Sequence, residues 1–441
     1  MHERDVNTDF LLILVKHLLQ QDPTFKVILM SATLNAKIFS DYFREFGCTS
    51  ISIPGRTFPV TPFFLEDALA MTSFSPAPGS DCVFKAKPPR KTDEQVSSQS
   101  AVHKRAAWSK QVHAALTGKY PPSVIQTLLA IDESVVNTAL IAQLVSRICT
   151  DAEQGAVLIF VPGIAEIREI IEMLSDSLDP RTTRVLPLHS SLSTVEQQRV
   201  FDIPPPGIRK IVVGTNIAET SITIPDVVFV IDTGRTKESR FDEKTQYNTL
   251  QDDFVSQSSA MQRRGRAGRV RSGKCFCLLS RCSFESLPLH GQPELLRISL
   301  EEVCLNVLAL QLGNPLEFLA AAISPPTEVS VTNALNILAN LNAALDSGVE
   351  HPVDSERWSI TPLGYHLAAL PVNPRIGKLI LYGILFNCVD PMLTIAAALD
   401  KTPFVSPFEK REMADAAKAR FCDEVGAQCD LLAVLPVWRL W

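Results

Sequence analysis

Residues 209–223 read Arg209-Lys210-Ile211-Val212-Val213-Gly214-Thr215-Asn216-Ile217-Ala218-Glu219-Thr220-Ser221-Ile222-Thr223. A short β-branched run ends at a glycine, and small hydroxyl and amide side chains follow it. The run is too short for most helices and reads as a strand buried on both faces. Thr215 and Asn216 then lie at a strand's carboxyl end, where open parallel sheets bind ligands. Similar runs occur at 156–161, 184–188 and 227–231, with helical or loop segments between them and a helical pattern at 141–148 before the first. Strands alternating with helices predict an α/β lobe with a parallel sheet covered on both faces, here over 121–290.

The pattern changes on either side. Beyond Pro293 it is mainly helical, at 300–312, 315–322, 331–341, 377–386 and 391–399. Upstream, a helical stretch at 6–20 precedes a short apolar run at 26–30 that reads as a buried strand. A second helical stretch at 36–46 and an apolar 51–53 follow, ending at a Pro54-Gly55 turn. These residues read as the tail of another α/β domain. Residues 72–118 are rich in Ser, Pro, Lys, Gln and Asp, bury little apolar surface on this composition, and are expected to be a disordered insertion.

Length and composition bound the rest. At 441 residues and 46% hydrophobic, the chain can build more than one core. Ten cysteines without a C-x-x-C pair indicate neither zinc nor a disulfide framework and fit a reducing compartment; Cys275, Cys277 and Cys282 lie where a strand is expected. No apolar run approaches the ~18 residues of a membrane span, so a soluble protein is expected. The net charge of −6 argues against a uniformly basic nucleic-acid binder but leaves room for a local basic groove. Arg263, Arg264, Arg266, Arg269, Arg271 and Lys274 crowd together with no acidic residue among them.

The most specific stretch is Gln262-Arg263-Arg264-Gly265-Arg266-Ala267-Gly268-Arg269. Arg266 and Arg269 are three apart and face one way in a helical turn, while Gly265, Ala267 and Gly268 keep bulk away from an approaching polyanion. Two guanidinium forks aimed together suit a triphosphate, where arginine neutralises charge developing on a transferring phosphoryl group. A solvated Arg/Gly loop or an RNA-backbone patch would use the same residues. Ser31-Ala32-Thr33 follows the run at 26–30, and helix capping is the commoner task of such side chains.

Taken together, these residues resemble the DEAH-box RNA helicases, in particular the branch related to RNA helicase A. Met1-His2-Glu3-Arg4 resembles the end of the family's D-E-x-H-E-R motif, and Ser31 to Thr33 its coupling motif. Phe160-Val161-Pro162-Gly163 and Leu188-His189-Ser190-Ser191-Leu192 are similar to its RNA-facing motifs, Thr215 to Thr223 to motif V, and Gln262 to Arg269 to motif VI. The resemblance implies a remnant of a first RecA-like lobe (1–71), an insertion (72–120), a second RecA-like lobe (121–290), a winged-helix domain (291–360) and a partial ratchet domain (361–441).

It also implies roles. Arg266 and Arg269 would be arginine fingers, with Gln262 positioning the attacking water and His2 nearby. Ser31, Thr33, Glu219 and Asp226 would sense ATP and its Mg2+. Gly163, His189, Ser190, Thr215, Asn216 and Thr220 would contact RNA, and the charged stretch 235–255 would form a hairpin projecting toward it. ATP, Mg2+ and RNA are the expected ligands, with ribosome or protein activators as further partners and a cytoplasmic or nuclear site of action.

The chain departs from the family pattern at Pro225-Asp226, where the family often has Asp directly after the isoleucine. None of the pairs Gly118-Lys119, Gly273-Lys274 and Gly377-Lys378 is followed by Ser or Thr, so the phosphate-cradling G-x-x-x-x-G-K-[ST] is not among these residues. A fragment that does not hydrolyse ATP alone is therefore expected. The rival readings are a non-catalytic RNA-binding module and a motor acting on DNA.

Overall fold

The computed structural model describes residues 4–31, 36–53, 55, 58–77, 79–84, 95–151, 153–219, 222–242, 247–348, 357–400, 411–425, 429 and 431–439. The chain divides into two compact units, one of Met1–Ser31, Lys37–Cys48 and Pro293–Trp441, the other of Ala32–Ala36 and Thr49–Gln292.

The second unit is built on strands β1 (Val60–Phe63), β2 (Ala156–Phe160), β3 (Thr183–Leu188), β4 (Arg209–Gly214), β5 (Val227–Asp232), β6 (Arg235–Asp242), β7 (Tyr247–Phe254) and β8 (Gly273–Cys277). Six of them form one sheet in the order β1-β8-β5-β2-β4-β3, and every neighbouring pair is parallel. Every residue of β2 and β5 is buried, as strands covered on both faces require. Because side chains alternate across a strand, Val157 and Ile159 pack with Leu144, Ile167, Ile170 and Leu174 of the helices Thr138–Thr150 and Ile164–Ser177 on one face. Leu158 and Phe160 pack with Leu188, Val200, Ala218 and Ala267 on the other. Each such side chain contributes about 1.5–3 kcal/mol on full burial. The strands β6 and β7 form the expected hairpin, paired antiparallel from Arg235↔Phe254 to Asp242↔Tyr247.

Three expectations change. Residues 1–71 do not stay together: β1 is an edge strand of the six-stranded sheet, paired with β8, while the helix Val6–Gln21 lies in the other unit. The run at 26–30 carries no strand, and Ile28 and Met30 are 85% and 76% exposed. Apolar residues become a strand only when a neighbouring strand completes the ladder, and among the described residues the sheets do not include this run. Finally, 72–120 contains the helix Gln95–Leu116, whose Val112 and Leu116 are buried in the sheet unit's core. Trp108 donates its indole N–H to Ser283 Oγ at 2.9 Å, and Arg105 donates to the carbonyls of Leu129 and Ile131, each at 2.9 Å. A few anchors on an otherwise polar helix are invisible to average composition. Residues 85–94 lie outside the described part.

In the first unit, the helices Glu301–Ala309, Pro315–Ala320, Glu328–Asn340 and Pro362–Ala368 surround a core with the small antiparallel pair β9 (Ala344–Asp346) and β10 (Trp358–Ile360). The helix Val6–Gln21 buries Ile13 in that core and sets Phe10 against Phe318, ring centroids 5.1 Å apart. The helices Pro374–Leu385 and Val389–Asp400 follow. Among the described residues, no helix is long and apolar enough to cross a membrane.

Candidate nucleotide and nucleic-acid site

Asp232 ends β5 and is buried. Its carboxylate is met by Arg263, on the helix Gln257–Gly265, at 2.8 Å, and both side chains are 1% exposed. Arg263 also donates through Nε to Glu219 Oε2 at 2.9 Å and through Nη1 to the carbonyl of Arg235 at 3.2 Å. Burial opposes its charge, but Asp232 and Glu219 outweigh this and hold the guanidinium above its ordinary range. Ser259 donates to the other oxygen of Glu219 at 2.5 Å. Arg263 thus ties the helix to the end of β5 and to the segment after β4.

This clamp fixes what comes next along the chain. Arg266 donates to the carbonyls of Glu219 and of Ile222, the latter at 3.0 Å, and Arg269 donates to the Thr223 hydroxyl. Both arginines therefore converge on the segment of Glu219, Ile222 and Thr223. Arg266 is pushed down to about 10, first by burial and then by the charge of Arg269; burial also lowers Arg269. Among the described residues neither makes a carboxylate ion pair, whereas Arg263 does and Lys274 is bound to Glu153 at 2.8 Å and to Asp151. Four residues of the basic cluster are thus of two kinds, Arg263 and Lys274 neutralised by carboxylates and Arg266 and Arg269 held on backbone and hydroxyl oxygens. Such a pair fits a polyanion.

Close packing sets the position of this turn. Gly268 leaves no room for a side chain, because a Cβ would lie 2.5 Å from the Phe58 carbonyl and 2.7 Å from Val60 Cγ2. Gln262 sits half-buried on the same helix as Arg263.

The RNA-facing candidates gather at three strand ends. Phe160 and Leu188 both pair in register with Gly214, so the chains leave β2, β3 and β4 side by side. Gly163, His189, Ser190, Thr215 and Asn216 all follow within three residues of those ends. Gly163 caps the helix Ile164–Ser177 without a side-chain hydrogen bond. His189 Nδ1 accepts from the Ser191 amide at 3.1 Å and lies 2.7 Å from Ser191 Oγ, and burial lowers its pKa. An accepting Nδ1 leaves the proton on Nε2. Thr215 is buried and Asn216 exposed.

Other candidates are placed differently. Asp226 pairs with the buried Lys210 at 2.7 Å, and Glu219 is committed to Arg263 and Ser259. Ser31 is exposed and belongs to the other unit. His2, Thr33 and Thr220 lie outside the described residues. Cys282 is on the helix Arg281–Ser286 and not on a strand. Sequence reasoning passed over Arg263, Asp232, Ser259 and Thr223 as a linked set. The available signal was an aspartate closing an otherwise apolar strand, which demands a buried cation. Among the described residues, no group of three or more His, Cys, Asp or Glu is arranged to hold a metal ion.

Comparison with known proteins identifies the domains and the relatives of this chain. Residues 138–271 match the family described as helicase conserved C-terminal domain, and 373–434 match the helicase associated domain (HA2), ratchet-like. Human ATP-dependent RNA helicase DHX29 is 41% identical over 95% of this chain and 31% of its own length. Human putative ATP-dependent RNA helicase DHX57 is 43% identical over 100% and 33%, and bovine ATP-dependent DNA/RNA helicase DHX36 is 40% identical over 100% and 43%. The chain thus spans 31% to 43% of these relatives' length. In fold it is similar to Escherichia coli DEAH/RHA helicase HrpB, with a TM-score of 0.65 at 24% identity over 92% of this chain and 42% of that one. The chain, whose parallel-sheet unit carries the helicase C-terminal domain and whose helical unit carries the ratchet-like domain, belongs to the DEAH-box RNA helicases.

Proposed function

We propose that this chain serves as the second motor lobe, with its helical appendage, of an ATP-dependent RNA helicase. The reading rests above all on Arg266 and Arg269, two neighbouring cations that have no carboxylate partner among the described residues and are gathered on Glu219, Ile222 and Thr223. ATP bound by another lobe would supply the phosphoryl group to be transferred. Arg266 and Arg269 would neutralise charge on its terminal phosphate, and Gln262 would orient water. Arg263 acts through them, by holding their turn against β5. Asp226, a candidate sensor of Mg2+, is already paired with Lys210.

The register-matched ends of β2, β3 and β4 would carry a single strand's backbone past Gly163, His189, Ser190, Thr215 and Asn216. Main-chain and small polar groups grip phosphate and sugar without reading sequence, as a translocating motor requires. ATP-driven 3′ to 5′ stepping and disruption of duplexes or ribonucleoprotein contacts complete the reading, with ribosome-bound or protein activators as partners in the cytoplasm or nucleus.

No Gly-Lys pair in the 441 residues is followed by the hydroxyl of a phosphate-cradling loop. The purified chain is therefore expected to bind single-stranded RNA without hydrolysing ATP. RNA-stimulated hydrolysis by the chain alone, lost in R266A, would overturn that division of labour. If it pairs productively with a lobe carrying the phosphate loop, it is a motor part; if such pairing never restores hydrolysis, it is a non-catalytic RNA-binding module. The name of DHX36 includes DNA, which makes DNA the second reading. Binding compared on RNA and DNA strands of equal length and sequence separates the two.

A further inference from the structure

Gly163 is fully extended, with φ −165° and ψ −178°, a conformation open to any residue. Its lack of a side chain has a different cause. A Cβ there would lie 2.7 Å from Lys237 Nζ and 3.1 Å from Lys237 Cδ, so the glycine makes room for an ammonium group arriving from β6. That ammonium is held by both oxygens of Glu166, at 2.9 and 3.0 Å. Glu166 lies in the first turn of the helix Ile164–Ser177, which Gly163 caps without a side-chain hydrogen bond.

Fold stability alone does not call for this arrangement. A helix N-terminus carries partial positive charge, and a lysine there is repelled unless an acid offsets it. The ion pair is partly open to water, with its side chains 27% and 21% exposed, and such pairs add little stability. An anion reaching Gly163 would meet Lys237 together with the first amides of the helix, and Glu166 would be its competitor.

We propose that Lys237 is a phosphate-binding residue for the RNA backbone, held ready over Gly163 by Glu166, which yields it when a phosphate arrives. The inference rests on the RNA-binding role proposed above and adds to it a residue from the root of the β6–β7 hairpin. It also gives Glu166 an opposing role, restraining affinity while the strand is absent.

The test is the salt dependence of single-stranded RNA binding by the full 441-residue chain, unaltered and as K237M and E166Q. Each phosphate contact on a single strand contributes about 0.7 to the slope of log K against log salt concentration. K237M is expected to weaken binding and lower the slope by about 0.7. E166Q is expected to tighten binding about two- to fivefold, the range for releasing a solvent-exposed ion pair. A purely structural ion pair moves both variants the same way and leaves the slope unchanged, which would overturn the proposal. No RNA binding by the unaltered chain would instead overturn the RNA-binding reading, and the role of Lys237 with it.

Discussion

Arg263 and Asp232 face each other across 2.8 Å, each with a side chain 1% exposed. Around that contact the last residue of β5, the segment after β4 and the helix that leads into Arg266 become one body, because Arg263 also holds Glu219. Removing one partner of a buried ion pair leaves an uncompensated charge, at a cost of about 3–5 kcal/mol. R263A should therefore lower the sheet unit's stability by about that amount, read as a shift in denaturant midpoint. A shift no larger than that of a typical surface substitution would show that the clamp does not hold the lobe together.

Glycines 265 and 268, three residues apart, should respond in opposite directions. A Cβ at Gly268 would press on the Phe58 carbonyl at 2.5 Å, while nothing lies within 4 Å of one at Gly265. G268A should cost about 1–3 kcal/mol, the usual penalty for overpacking. G265A, at the end of the helix Gln257–Gly265, should gain up to ~1 kcal/mol from helix propensity. Equal effects in thermal unfolding would mean that the arginine turn is not packed against β1.

His189 should make the lobe's stability depend on pH in a defined sense. Burial lowers its pKa, so the folded state takes up the proton less readily than the unfolded chain. Its contribution is present above about pH 6.5, the unfolded value, and is lost as pH falls through the lower folded value. Protonation of Nδ1 also breaks the bond from the Ser191 amide. H189N, whose amide oxygen can take over that acceptor role, should lose less stability between pH 7 and pH 5 than the unaltered chain. The comparison cancels Glu66 and Glu133, whose pKa values burial raises. Identical profiles for the two proteins would remove His189 from this account.

The insertion offers a separate check. Trp108 bonds Ser283, and Arg105 lies over its ring at 4.3 Å. W108A should undock the helix Gln95–Leu116 and speed proteolysis within it at least several-fold. Unchanged cleavage would mean that Val112 and Leu116 suffice to hold it.

Much of the fold could be read because its signal is local. The runs at 156–161, 184–188, 210–214 and 227–231 are apolar, short and separated by helical segments, and the structure makes them β2 to β5 of a parallel sheet. Thr215 and Asn216 fell at a strand end for the same reason. What escaped depends on distant partners. Thr61 and Pro62 of β1 carry no strong strand pattern and are ordered by pairing with β8, more than two hundred residues away. Ile28 and Met30 carry the pattern but have no ladder. Arg263 and Arg266 look alike in sequence, and only the carboxylates of Asp232 and Glu219 tell the arginine of the buried ion pair from its neighbour.

The central claim is that Arg266 and Arg269 serve a triphosphate, and the most direct measurement is RNA-stimulated ATP hydrolysis by a motor that pairs this chain with a lobe bearing the phosphate loop. R269A, whose side chain is exposed and whose loss leaves the Arg263 clamp intact, should lower kcat by about 10³-fold or more with little change in KM for ATP. R266A should do the same. An R269A motor that keeps the unaltered turnover would contradict the account.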